Sequence, residues 1–130
     1  ETALGEDEIL VYIDIPAQPS GVVCAYMKYQ LRAVDKAIVG VGVALCIEGG
    51  VCREARVALG GVAQVPFRSN GAEAALTGQR PSESIIEEAA MAAMAEAQPM
   101  SDAHASADYR RTMVAVFTRR ALRQALEIKS

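Results

Sequence analysis

Residues 37–59 read AIVGVGVALCIEGGVCREARVAL, and the fold turns on this stretch. In its first half the large apolar residues fall at every second place. Val39, Val41, Val43, Leu45 and Ile47 share one face of an extended chain, while Gly40, Gly42 and Ala44 take the other. Gly49-Gly50 is then the kind of two-residue link at which a chain reverses into a hairpin, and residues 51–59 form the returning arm. Such a link sets Ile47 opposite Cys52 and Cys46 opposite Arg53. Alternation then places Cys46 and Cys52 on opposite faces of the hairpin, out of reach of each other. Glycine weakens a strand, and glycines along one face often mark the close approach of another element.

The same period extends upstream. Across 22–32, Val23, Ala25, Met27, Tyr29 and Leu31 form a core face, and Cys24, Tyr26, Lys28, Gln30 and Arg32 form a half-wet face or one that lines a site. Across 8–15, Ile9, Val11, Ile13 and Ile15 oppose Leu10, Tyr12 and Asp14, until Pro16, Pro19 and Gly21 break the pattern. After Asn70 the period becomes helical. A short helix over 72–76 stops at Thr77-Gly78. A second helix over 81–97 carries Ser84-x-x-Glu87 as a capping box and an acidic first turn, and ends before Pro99. A third covers 106–128, with Met113, Val114, Val116, Phe117, Ala121, Ala125 and Leu126 on an apolar arc and Arg119, Arg123 and Glu127 on an exposed strip. Strands at 8–15, 22–32, 37–48 and 51–59 followed by helices predict an α+β domain, an antiparallel sheet of three to four strands packed against three helices.

A chain of 130 residues, 52% apolar and 22% charged, has the size and composition of one globular domain with a core of its own. Its net charge of −3 offers no basic footprint for nucleic acid. The longest apolar run, 37–47, is about half of a membrane span. The chain opens on Glu1-Thr2-Ala3-Leu4 rather than on Met or a signal peptide, as a segment of a longer protein would. Three cysteines, Cys24, Cys46 and Cys52, without a C-x-x-C pair, read as reduced thiols of a cytoplasmic protein rather than a disulfide framework or a zinc site.

Most polar signals have ordinary structural readings. His104, the sole histidine, lies in the loop Ser101-Asp102-Ala103-His104 with no second ligand beside it. Gly60-Gly61 lacks the spacing of a phosphate cradle. Glu83, Glu87 and Glu88 suit the start of a helix, and the doublets Arg110-Arg111 and Arg119-Arg120 suit salt bridges to those glutamates or a subunit contact. The alternation of Lys28, Gln30 and Arg32 on one strand face, with Asp35 just beyond, stands out, with Lys28 and Arg32 roughly 13 Å apart along an extended chain.

Taken in order, the motifs resemble the C-terminal domain of the FAD-binding medium subunit of molybdenum hydroxylases, the xanthine dehydrogenase and carbon monoxide dehydrogenase flavoprotein family. Residues 8–16, EILVYIDIP, resemble the family's E-I-L-x-x-I-x-I-P strand. Residues 26–37, YMKYQLRAVDKA, resemble its aromatic-x-K-x-x-x-R-x-x-D-x-A strand and turn. ALGGVA at 58–63, Ala72-Glu73 with Leu76-Thr77-Gly78, Pro99-Met100-Ser101-Asp102 with Ser106 and Tyr109-Arg110-Arg111, and the RRAL of 119–122 follow in the family's order. The resemblance covers about 8–126.

It implies a tail of the FAD-binding domain and linker over 1–20 and the flavoprotein C-terminal domain over 21–130. It implies FAD in the full-length subunit, molybdopterin in a large partner subunit and [2Fe–2S] clusters in a small one, with electrons leaving through FAD to NAD or another acceptor. By position in the motifs, Lys28 and Leu10 correspond to the family's flavin-contacting residues, and Arg32 and Asp35 to positioning residues near the flavin. No residue is implied to be catalytic and none to bind a metal. The glycine-rich stretches that hold the FAD pyrophosphate have no counterpart here, so this chain alone is expected to be inactive and to bind FAD poorly. A non-catalytic docking or dimerisation module with the same fold is the alternative.

Overall fold

The computed structural model describes residues 3–34 and 36–127. Four antiparallel strands, β1 (Val22–Tyr29), β2 (Val39–Glu48), β3 (Val51–Gly60) and β4 (Phe67–Arg68), lie in the order β1-β2-β3-β4, and α1 (Asn70–Leu76), α2 (Glu83–Glu96) and α3 (Ala107–Glu127) follow. The α+β order read from the periodicity is the observed one. Gly49 and Gly50 close the β2–β3 hairpin with φ of +58° and +78°, the left-handed pair that a type I′ link requires.

Within that hairpin Ile47 pairs with Cys52, but Cys46 pairs with Glu54, because a bulge at Arg53 intervenes. Strict alternation from Cys52 would have turned Glu54 and Arg56 inward. The extra residue restores the parity, so that Cys52, Ala55, Val57 and Leu59 all enter the core. Cys46 lies on the other face and all three thiols are free.

Residues 8–15, expected as a strand, are irregular, with Ile9, Val11 and Ile15 each at least 80% exposed. A strand needs a neighbour for its backbone groups, and no described strand lies alongside this segment. The fourth strand is instead the two-residue β4 on the β3 edge, where Ala58 faces Arg68 and Leu59 faces Phe67. β1 also ends three residues early, at Tyr29. Its carbonyl accepts from the Ile38 amide (2.8 Å) to close the turn, which leaves Leu31 exposed.

One face of the sheet builds the core. Val23 and Ala25 of β1, Val39, Val41, Val43 and Leu45 of β2 and Val57 and Leu59 of β3 are buried beneath the helices. α3 packs on β1 and β2, α1 on β3, and α2 against α1 and α3. The buried stripe of α2 is Ile86, Ala89, Ala90 and Ala93, whose small side chains allow close helix packing. Its cap is Ser82, which accepts from the Ile85 amide, rather than Ser84, whose hydroxyl bonds the Ser82 hydroxyl (2.9 Å). Arg119 pairs with Glu87 (2.8 Å), as expected of its doublet, and Arg123 with Glu83, tying α3 to α2, whereas Arg110 and Arg111 pair with Asp102 and Asp108 rather than with those glutamates.

Candidate functional site

Among the described residues the opposite face of the sheet carries no helix. Cross-strand register arranges it in rows. Lys28 faces Gly40, which faces Gly60; Tyr26 faces Gly42, then Ala58, then Arg68; Cys24 faces Ala44, then Arg56. The centre of this face therefore has no side chain larger than a methyl group. Tyr26, 65% exposed, lies across the gap left by the glycines: a Cβ added to Gly40 would stand 3.1 Å from the Tyr26 hydroxyl. Lys28 is exposed at the edge of this flat floor, as are Arg56, paired with Glu54 (2.7 Å), and Arg68, paired with Glu73 (2.7 Å).

The approach segment covers only one end of it. Residues 15–19 line a cavity of about 340 Å³ together with Val22, Cys24, Ala44, Cys46, Glu54 and Arg56. Gln18 Nε2 donates to the Val22 carbonyl (2.9 Å) and to Cys24 Sγ (3.3 Å). The end with Lys28, Gly40 and Gly60 lies outside that cavity.

Of the residues singled out in the sequence, Lys28 is exposed on this face. Leu10 lies in the irregular 8–15 segment, 64% exposed, so the sheet does not place it beside Lys28. Arg32 is exposed in the turn beyond β1, and Asp35 lies outside the described residues. His104 sits in its loop, its amide donating to Asp102 Oδ1 (2.9 Å). Among the described residues no group of three or more potential metal ligands occurs, and no helix is long and apolar enough to cross a membrane.

The residue missed in the sequence is Arg110. Read there as part of a doublet suited to salt bridges with the α2 glutamates or to a subunit contact, it is 6% exposed. Its Nη1 donates to the carbonyls of Ile38 (2.9 Å) and Gly61 (3.2 Å), and its Nη2 to Asp102 Oδ2 (2.6 Å). The signal was available: Arg110 lies four residues before Val114 on the buried face of α3. The amide of His104, then the Arg110 guanidinium and the amide of Ala105, hold the Asp102 carboxyl down at about 2. Burial pushes the Cys52 thiol up. Beside Arg110, the Tyr109 hydroxyl meets that of Tyr29 at 2.9 Å, which raises the Tyr109 phenol.

A four-stranded antiparallel sheet with three helices on one face is a domain architecture shared with solved oxidoreductases. The carbon monoxide dehydrogenase of Hydrogenophaga pseudoflava superposes with a TM-score of 0.84 at 34% identity, over 87% of this chain and 39% of that one. Quinoline 2-oxidoreductase from Pseudomonas putida 86 superposes with a TM-score of 0.77 at 31% identity, over 84% and 38%. In sequence, the carbon monoxide dehydrogenase medium chain of H. pseudoflava is 33% identical over 95% of this chain. Residues 24–125 match the family of the CO dehydrogenase flavoprotein C-terminal domain, and the chain belongs to that family. It spans 43% of the length of the medium chain it matches.

Proposed function

We propose that this chain is the C-terminal domain of the FAD-carrying medium subunit of a molybdenum hydroxylase, and that its bare sheet face lies against the flavin. The observation that carries the reading is the row Lys28–Gly40–Gly60, a cation at the edge of a floor without side chains, within the span of the family match. The residues present fit part of such a cofactor. A planar ring system can approach a backbone surface floored by glycine and alanine, Tyr26 offers an aromatic surface, and a fixed cation favours negative charge on a reduced ring. Nothing in this chain resembles a pyrophosphate cradle, so the domain by itself should not retain FAD.

When bound, FAD supplies the redox chemistry. This chain's own residues shape one wall of the site, exclude water over the glycine floor and hold a positive charge at its edge. Leu10 packs near the flavin once the 8–15 segment finds its neighbour in the rest of the subunit, and Arg32 and Asp35 position the same corner. We place the tail of the FAD-binding domain and linker at 1–20 and the C-terminal domain at 21–130. The partners are a molybdopterin-binding large subunit and a [2Fe–2S] small subunit, from which electrons pass through FAD to NAD or another acceptor, in the cytoplasm. The test is FAD titration followed by flavin fluorescence. The full-length subunit should bind FAD, and residues 1–130 alone should leave the fluorescence unquenched. A full-length subunit that binds no FAD would sink the proposal and favour a docking module.

A further inference from the structure

Lys28 stands in a row whose other members, Gly40 and Gly60, have no side chains; strand pairing sets its register, and side chains that hold its ends come from the helical side of the sheet. We propose that Tyr109 and Arg110, consecutive on α3, are positioning residues that pin the Lys28–Gly40–Gly60 row from the core side and so fix where Lys28 stands. The inference rests on the flavin reading above for its functional consequence and on the geometry alone for the pinning.

Each member of the row lies within two residues of a pinned one. Next to Lys28, Tyr29 turns its ring to the helical side, stacks on Phe117 (centroids 5.2 Å apart, planes at 24°) and meets the Tyr109 hydroxyl at 2.9 Å. Two residues before Gly40, the Ile38 amide donates to the Tyr29 carbonyl (2.8 Å), and the Ile38 carbonyl accepts from Arg110 Nη1 (2.9 Å). Next to Gly60, the Gly61 carbonyl accepts from the same Nη1 (3.2 Å). Asp102, holding Nη2 at 2.6 Å, orients the guanidinium toward both carbonyls. A planar guanidinium with a fixed fork of donors suits this work better than an ammonium, which has no second rigid donor pair. Loss of the Tyr109 hydroxyl frees the last residue of β1, and loss of the guanidinium frees the entry to β2 and the exit from β3.

The experiment uses the full-length medium subunit in its complex, as wild type, Tyr109→Phe, Arg110→Lys, Lys28→Ala and, as a control on the exposed side of α3, Arg123→Ala. Amide hydrogen exchange is read by mass spectrometry on peptides covering 25–29 and 38–41, and the flavin reduction potential is measured on the same samples. Tyr109→Phe keeps the ring and the packing. It should speed exchange at 25–29 by about threefold or more without speeding it in α2, and should move the potential in the same direction as Lys28→Ala. Arg110→Lys should act more strongly at 38–41, and Arg123→Ala should leave both readouts at wild type. Unchanged exchange in Tyr109→Phe, or an equal rise in α2 that marks general loosening, would overturn the pinning. A potential that shifts in Lys28→Ala but not in Tyr109→Phe sinks this inference alone, whereas no shift in Lys28→Ala sinks the flavin reading itself.

Discussion

The two faces of one sheet are made by the same strands and have opposite needs. Toward the helices, β2 presents Val39, Val41 and Leu45, all fully buried. Toward the other side the same strand presents Gly40, Gly42 and Ala44, and the Tyr26 ring lies over the glycines. The inner face contributes stability through apolar area removed from water. The outer face gives some of that up, since two glycines within a strand weaken it. Gly40 is itself buried with the Tyr26 ring against it, so the glycines give room for a ring to lie close on the sheet, and the two faces should separate cleanly under mutation.

The largest effect is expected from the inner face. Leu45→Ala removes a fully buried side chain and should cost about 2–5 kcal/mol in a denaturant melt; a loss below about 1 kcal/mol would break the distinction between the faces. On the outer face, Gly40→Val is expected to behave in the opposite way. Its side chain displaces the exposed Tyr26 ring, so stability should change by no more than about 1 kcal/mol. In the full-length subunit, FAD affinity should fall about tenfold or more as the floor fills. Stability lost with affinity kept would reverse the roles of the faces.

A third test probes the corner that joins them. The Asp102 carboxyl is held at about 2 against an ordinary 3.8. A depressed folded value means that its stabilisation is complete above the ordinary value and is lost as pH falls through about 2. Asp102→Asn should therefore flatten the acid limb of the stability curve over that window, while an unchanged limb would show that the carboxylate, with the His104 amide, Arg110 and the Ala105 amide around it, does not set that limb. The smallest effect belongs to neither face. Arg123→Ala breaks an exposed pair with Glu83 and should stay within about 0.5 kcal/mol.

The hairpin and the three helices were legible because period-two and helical patterns are local signals, and Gly49-Gly50 names its own turn. The bulge at Arg53 was not, since a register shift appears only when the inward residues of both arms are compared. The 8–15 segment shows the limit from the other side. Its apolar pattern reports that a neighbour is needed and not where the neighbour lies, so a strand expected there is irregular among the described residues. β4 is too short to carry a period. The outward placement of Lys28 was legible from its alternation, and its proposed role comes from its motif. Arg110 was hidden because a charged doublet reads as surface, although its spacing to Val114 and Thr118 puts it on the buried stripe. Leu10 and Asp35 have their places in the motifs alone.

The proposed flavin face carries Lys28 at its edge as the charge this domain brings to the ring. The most direct measurement is the flavin reduction potential of the full-length subunit carrying Lys28→Ala. Loss of a nearby cation should lower the potential by a few tens of millivolts, corresponding to about 1 kcal/mol in a partly buried two-electron site. A potential and an FAD affinity both equal to wild type would make Lys28 an ordinary surface lysine and contradict the account.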